Sequence, residues 1–302
     1  MPFTAADVPD QSGRTIVVTG ANTGIGFATA KVLAARHARV LLACRDQARA
    51  QSAMEAIRRD TPQADLAFLP LDQADLASVR RAADLAAREP RIDVLLNNAG
   101  VMMPPLTRTV QGFEQQWGVN HLGTYALSTL LLPKLAETPG ARIVVTSSIA
   151  HRRAVIDWSD LDAGQGYNRG KRYGASKLAN LLFVQELDRR LRAAGSPVSA
   201  VGCHPGVAAT DLMRHVGPLR VLTPLFGLLL NTAAQGAWPA LQAATDPQVR
   251  PGGYYGPQTM GEVRGASGEA RPSAQALDPA VARRLWDVSV AMTGIDPGLP
   301  PA

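Results

Sequence analysis

Two tyrosines in this chain are followed four residues later by a lysine: Tyr167 by Lys171, and Tyr173 by Lys177. On a helix that spacing puts both side chains on one face, a turn apart. A phenol with a pKa of about 10 is a poor base at neutral pH, and a nearby ammonium favours its phenolate. The same phenol can hand its proton to a carbonyl oxygen as hydride arrives at the carbon. Taken alone, such a pair also arises on surface helices around an ordinary half-buried tyrosine. A second constellation is the turn Thr19-Gly20-Ala21-Asn22-Thr23-Gly24-Ile25-Gly26. Its glycines let the backbone approach a pyrophosphate, and a helix start there adds unpaired N–H groups and partial positive charge. The plain alternative is a tight turn with no ligand. Gly170-Lys171 is not a P-loop, because Gln165 stands at the leading glycine position and Arg172 follows.

Short apolar runs alternate with longer helical patterns over the first 200 residues, with no internal repeat. Strands are expected at Thr15–Val18, Arg39–Ala43, Leu66–Leu71, Val94–Leu96, Ile143–Thr146 and Val198–Cys203. Helices are expected at Gly24–His37, with Ile25, Ala28, Val32 and Ala35 on one stripe, and at Gln47–Arg59 and Asp75–Arg88. A long helix should run from Gly112 to Leu135 and another from Tyr173 to Ala194. The polar stretch Ala150–Gly170 is too long for an ordinary connection and reads as an insertion. This alternation implies an α/β protein whose parallel strands are joined by helical crossovers on both faces.

Beyond Pro205 the texture changes. Residues 206–231 form a loop with apolar helical pieces, read as a lid, and Thr232–Ala244 reads as a helix kinked at Pro239. Gly253-Tyr254-Tyr255 is a last strand, bringing the sheet to about seven. Asp278-Pro279 is an N-cap with proline at the first helical position. Val281, Leu285, Val288 and Met292 follow on one apolar face, closed by Gly294. No second core is visible, so residues 1–302 read as one domain. The lid lies within it, and residues 257–302 form a C-terminal extension carrying a helix near 279–293.

Composition sets outer limits. The chain has 302 residues, 46% hydrophobic and 19% charged, which excludes wholesale disorder. Its two cysteines, Cys44 and Cys203, lie in apolar segments, so a secreted disulfide scaffold is not expected and a reducing cytoplasm is. No apolar run reaches membrane-spanning length, and Val221–Leu230 is broken by Pro224 and Gly227. The N-terminus shows no basic region followed by an apolar one, so no signal peptide is expected. A net charge of +6 invites a nucleic-acid reading, but only four basic residues are lysines, the basic residues form no run of five or more, and aromatics are 5%. His121, His151 and His204 lack paired metal-ligand spacing and read as core or surface histidines, so no metal is expected. Trp117 and Trp286 read as core.

The glycine turn has the spacing Thr-Gly-x-x-x-Gly-x-Gly, and here the sequence resembles the short-chain dehydrogenase/reductase family. Further matches follow in order: Asn97-Asn98-Ala99-Gly100, Asn120, Ser147-Ser148, Tyr173-x-x-x-Lys177 and Pro205-Gly206-x-x-x-Thr210. The resemblance covers about residues 12–256. The tracts TGANTGIG, ACRD, SSIAHR and SKLANLLF are most similar to its retinol-dehydrogenase-like branch. The resemblance implies a Rossmann-type, doubly wound parallel sheet and an oxidoreductase using a nicotinamide dinucleotide. It singles out Tyr173 over Tyr167, because Ser176-Lys177-Leu178-Ala179-Asn180 follows Tyr173. Ser148 would then bond the substrate oxygen and stabilise its developing charge.

The resemblance also gives Lys177 the nicotinamide ribose, Asn120 a water that feeds protons to Lys177, and Asp72 the adenine. It places Gly20, Asn22, Thr23, Gly24, Ile25 and Gly26 on the cofactor, with Asn98, Ala99 and Gly100 beside them. Pro205, Gly206, Val207 and Thr210 complete that set. The chain departs from the family pattern at Thr146, where asparagine is common, and in a wider gap between Ser148 and Tyr173.

Cofactor choice is made where the second strand ends. An acid there holds the ribose hydroxyls of NAD, whereas an arginine accommodates the 2′-phosphate of NADP. Cys44 stands at the position of the acid, Arg45 follows, and Asp46 reads as the cap of the next helix. NADP(H) is therefore expected, with NAD(H) the alternative. The expected activity interconverts a carbonyl (aldehyde or ketone) and an alcohol. The substrate should be apolar, because the lid supplies Leu219, Val221, Leu222, Leu225, Phe226 and Leu228. Rival readings are a non-catalytic NADP-binding redox sensor and a C=C reductase like protochlorophyllide reductases. Ser148 lacks the Gly-x-Ser-x-Gly setting of a serine hydrolase. Family members pair through the helices near 112–135 and 173–194, which implies a homodimer or homotetramer.

Overall fold

The computed structural model describes residues 2–207 and 231–301. The chain alternates β1 (Thr15–Thr19), α1 (Gly24–Ala35), β2 (Arg39–Cys44), α2 (Gln47–Asp60), β3 (Leu66–Pro70), α3 (Leu76–Ala86) and β4 (Val94–Asn97). It continues through α4 (Gly123–Leu130), α5 (Leu132–Ala136), β5 (Arg142–Thr146), α6 (Arg169–Ala193) and β6 (Ser199–Cys203). Two strands close it, β7 (Tyr254–Thr259) and β8 (Arg264–Glu269), before a C-terminal helix Pro279–Thr293. The sheet order is β3-β2-β1-β4-β5-β6-β7-β8, parallel from β3 through β7, with β8 antiparallel to β7. The order reverses between β1 and β4, opening a crevice at the carboxyl ends of the strands, the place where such sheets bind ligands.

Strand residues point alternately to opposite faces, and the two cores follow that alternation. Val17, Leu41, Leu95 and Ile143 face a core built with α3, α4, α6 and the C-terminal helix. Ile16, Val18, Val40, Leu42, Val94 and Val144 face a second core under α1 and α2. Burial on both faces is why these strands read as unbroken apolar runs. Trp117 and Trp286 are both buried in the first core.

Several expectations need correction. The sheet has eight strands rather than about seven. The sequence Arg264–Glu269 is polar and glycine-containing, and it becomes a strand only by pairing with β7 and, at Ser267, with Phe3. The expected long helix from Gly112 to Leu135 is a π turn, Trp117–Leu122, followed by α4 and α5. The break lies at Leu131, two residues before Pro133, which has no N–H to continue the ladder. Helix α6 starts four residues earlier than Tyr173, because the Asn168 side chain caps it by accepting from the Lys171 N–H at 3.0 Å.

The single kinked helix expected at Thr232–Ala244 is two, Ala233–Gly236 and Trp238–Thr245, with Pro239 in the first turn of the second. The buried face of α1 is Gly26, Thr29, Ala30, Leu33 and Ala34, not the stripe through Ile25 and Val32. Small residues there let the helix lie close to β1. The C-terminal helix has the expected bounds, Asp278 cap and left-handed Gly294, but buries Ala282, Leu285, Trp286 and Ser289, with Val281 and Met292 at its margin. The lid segment from 208 to 230, Thr210 included, lies outside the described residues. The residues on either side of it meet, Asn231 N–H donating to Val207 O at 3.0 Å.

Candidate active site

The crevice is a cleft of about 410 Å³ that runs from the β1–α1 turn to the start of α6. Gly20 and Gly24 have φ of +67° and +57°, the left-handed region that favours glycine. At Gly26 a Cβ would lie 2.4 Å from the Gly20 carbonyl oxygen and 2.5 Å from the Asn98 amide nitrogen. At Gly24 it would meet nothing within 4 Å. Thr23, the N-cap of α1, makes no side-chain capping bond, so the first N–H groups of the helix are left for a ligand. Thr19 braces the opposite wall: its hydroxyl accepts from the N–H groups of Asn98 at 3.0 Å and Ala99 at 2.9 Å. A glycine-lined turn that leads into uncapped helix N–H groups suits a dinucleotide pyrophosphate.

Of the residues expected on the cofactor, Gly20, Asn22, Thr23, Gly24, Ile25 and Gly26 line this cleft. So do Arg45, Asp72, Asn98, Ala99, Gly100, Tyr173, Lys177 and Pro205. Gly206 and Val207 do not. A Cβ on Gly206 would sit 2.2 Å from Val263 O, and the Val207 N–H donates to that same carbonyl at 3.0 Å. Both seat the Pro-Gly turn on the β7–β8 hairpin. At the adenosine end, both Asp46 carboxylate oxygens are engaged by Arg49: one accepts its N–H at 3.0 Å, the other pairs with its guanidinium at 3.3 Å. Arg45 makes no hydrogen bond or ion pair among the described residues. Burial pushes the Cys44 thiol up and keeps it neutral. Arg49, in the first turn of α2, also lines the cleft, and no motif in the sequence marks it.

At the other end, Tyr173 and Lys177 both face the cleft from α6. The Lys177 ammonium is 5.8 Å from the centre of the Tyr173 ring and donates to Thr146 O at 3.1 Å. Asn180 donates to that carbonyl too, also at 3.1 Å. Lys177 is 5% exposed, so its charge is screened little by water. Gly174 lets α6 lie against the turn that follows Ser148, since a Cβ there would be 3.1 Å from Ala154 Cβ and 3.3 Å from Ala150 O. That glycine is a positioning residue with no motif to announce it.

Ser148 caps the short helical turn Ile149–Arg153, and its Oγ accepts from the Ala150 N–H at 3.2 Å. Asn120 lies in the π turn, a feature frequent at functional sites. Its amide accepts from Val101 N–H at 2.7 Å and donates to Val101 O at 2.9 Å and to Ser176 Oγ at 3.0 Å. A Cβ on Gly100 would lie between the Asn120 oxygen, at 3.0 Å, and the Lys177 nitrogen, at 3.4 Å. Tyr167 is elsewhere: its hydroxyl donates to Pro104 O at 2.8 Å and accepts from Gln116, fastening the 150–168 loop. Trp158 of that loop lies under Arg284 of the C-terminal helix, 4.5 Å from the guanidinium. No helix among the described residues is long and apolar enough to cross a membrane.

The family model for short chain dehydrogenase matches residues 14–219. The chain is 41% identical to retinol dehydrogenase 14 of Mus musculus, over 94% of this chain and 86% of that protein. It is 42% identical to retinol dehydrogenase 11 of Homo sapiens, again over 94% and 86%. A crystal structure of an uncharacterized protein from Mycobacterium paratuberculosis superposes with a TM-score of 0.83 at 38% identity, covering 99% of this chain and 100% of that one.

Proposed function

The chain belongs to the short chain dehydrogenase family of NAD(P)-dependent oxidoreductases, and from that premise we propose that it is an NADP(H)-dependent enzyme interconverting a carbonyl, aldehyde or ketone, with an alcohol on an apolar substrate. The observation that carries the reading is one cleft lined at one end by the glycine turn and at the other by Tyr173 with the Lys177 ammonium over its ring. When bound, the nicotinamide supplies or accepts the hydride. Gly20 to Gly26 and the bare start of α1 would hold its pyrophosphate, Arg45 the 2′-phosphate, Asp72 the adenine, and Lys177 the nicotinamide ribose.

The chain's own groups handle the proton and the charge. Tyr173 donates its phenolic proton to the carbonyl oxygen in reduction and takes it back in oxidation, a role worth about 10²–10⁴-fold in rate. Lys177, held by Thr146 O, lends the phenolate a fixed positive neighbour. Ser148 Oγ already accepts from the Ala150 N–H, so its own hydrogen is left to donate to the substrate oxygen, a contribution of about 10²–10³-fold. Asn120 pins Val101 and Ser176 around Gly100, and its place beside Lys177 supports the proton-relay role.

The reading takes residues 1–302 as one domain on one sheet, with the segment 206–231 as lid and 257–302 as the extension that completes its edge. Both cysteines are free and buried, which supports a reducing cytoplasm. Nearly all of α4, and α6 from Gly174 to Leu191, are buried within the chain itself, so a homodimer or homotetramer would use another surface. The test is NADPH oxidation against a panel of aldehydes and ketones, run on the wild type and Tyr173→Phe, with NADPH titrations on both. Turnover should fall about 10²–10⁴-fold in the variant while binding survives. Tight binding without turnover of any carbonyl would instead favour the sensor.

A further inference from the structure

His151 lies in the helical turn that follows Ser148 and is 1% exposed. Its Nδ1 is 2.6 Å from the Ser148 carbonyl oxygen, and its Nε2 is 3.1 Å from the backbone nitrogen of Ser273. A backbone N–H can only donate, so Nε2 must offer its lone pair to Ser273. The proton of the neutral ring therefore sits on Nδ1 and is donated to Ser148 O. Burial lowers the pKa of this histidine. The bond to Ser148 O opposes that shift, His204 and Arg152 reinforce it, and Glu262 opposes it. The Tyr254 ring packs against one face edge-on, with centroids 5.5 Å apart.

The partner of Nε2 comes from far along the chain. The strap at 270–273, between β8 and the C-terminal helix, is tied down by three N–H groups. Ala270 donates to Tyr254 O at 2.8 Å, Arg271 to Glu262 at 3.1 Å, and Ser273 to His151. Ser148 is thus held at both ends: its hydroxyl oxygen by the Ala150 N–H, its carbonyl by the His151 ring and the His151 N–H at 3.0 Å.

We propose that His151 is a positioning residue for Ser148, its ring N–H holding the Ser148 peptide, and hence the hydroxyl, in place, with the C-terminal strap dictating the tautomer. This rests on the reading of Ser148 as the donor to the substrate oxygen. Two substitutions in the full-length chain separate the ring's two bonds. His151→Asn keeps a donor at the Nδ1 position and loses Ser273, whereas His151→Gln keeps an acceptor for Ser273 and loses Ser148. His151→Gln should lower kcat by about 10- to 100-fold, the scale of a small misplacement at the reacting centre, with the Kd for NADPH within about twofold. His151→Asn should keep kcat within about threefold, and in a Ser148→Ala background the Gln change should lower kcat little further.

Equal losses of kcat in the two variants would overturn the proposal, as would a full Gln effect persisting without the serine hydroxyl. Wild-type kcat in His151→Gln overturns it and leaves Ser148 in its role. Wild-type kcat in Ser148→Ala removes that role and the proposal together.

Discussion

An Arg45→Ala variant should weaken NADPH binding by about 30- to 150-fold and leave NADH binding within about twofold. Arg45 stands at the end of β2, exposed, with no hydrogen bond or ion pair among the described residues. Asp46, the acid that would otherwise serve a ribose diol, has both oxygens engaged by Arg49, and Cys44 is a neutral thiol. A hydrogen bond to a charged group is worth about 1.5–3 kcal/mol. An exposed guanidinium stays well hydrated, so a bidentate contact to the 2′-phosphate is taken at about 2–3 kcal/mol in total. At 1.4 kcal/mol per tenfold, roughly, that converts to the stated range. NADH has no 2′-phosphate and loses nothing by this change. Since Arg45 holds nothing in the fold, the melting temperature should move by no more than about 2 °C. Fluorescence titration of both reduced cofactors against wild type and variant reads the ratio directly, in low and moderate salt. Equal losses for NADPH and NADH would refute the phosphate assignment. A loss for NADPH below about threefold would refute it too, and would point to Arg49 as the principal contact.

Gly26→Ala should abolish detectable binding of either cofactor in the same titration, because its Cβ would strike the Gly20 carbonyl and the Asn98 amide; unchanged affinity would show that α1 can shift away from β1. Trp286→Ala should lower unfolding free energy by about 3–5 kcal/mol in urea titrations, since the ring is buried under Arg190 and against Phe183, while NADPH affinity stays put. Acidification should weaken the fold. Burial pushes His121 down to about 3 from an ordinary value of 6.5. Above pH 6.5 both states are neutral there, but below it only the unfolded chain takes the proton. Stability should then fall by about 2 kcal/mol from this residue between pH 7 and pH 5. His121→Leu should flatten that slope in urea titrations at each pH.

Much of the site was legible from local pattern. A strand buried on both faces must be an apolar run, a turn around a phosphate must be bare of side chains, and a tyrosine and lysine must sit four apart to share a helix face. Each of these constraints acts within a few residues, so the chain displays it directly. The caps at Asp46 and Asp278 were readable for the same reason. The misses have a common cause. Strand β8 is polar and glycine-containing and has no strand character until β7 and Phe3 pair with it. The π turn holding Asn120 interrupts a pattern that reads as one helix, and there Val119 O accepts from the Gln73 side chain, a distant partner. Gly174 looks like any glycine until Ala150 and Ala154 are seen against it.

Sequence alone therefore determined the order of the first seven strands, the ligand-binding ends of those strands, and the residue types able to move a proton and hold a dinucleotide. Only the tertiary structure decided that the second Asp46 oxygen pairs with the Arg49 guanidinium while Arg45 makes no such contact among the described residues, and that Gly174 packs against Ala150 and Ala154. It also decided that Ser273 of the C-terminal strap, 122 residues from His151, sets that ring's tautomer. Period and turn chemistry are short-range properties of neighbouring residues. Which donor reaches which acceptor across the fold depends on how the sheet stacks its crossovers, and no local pattern encodes that.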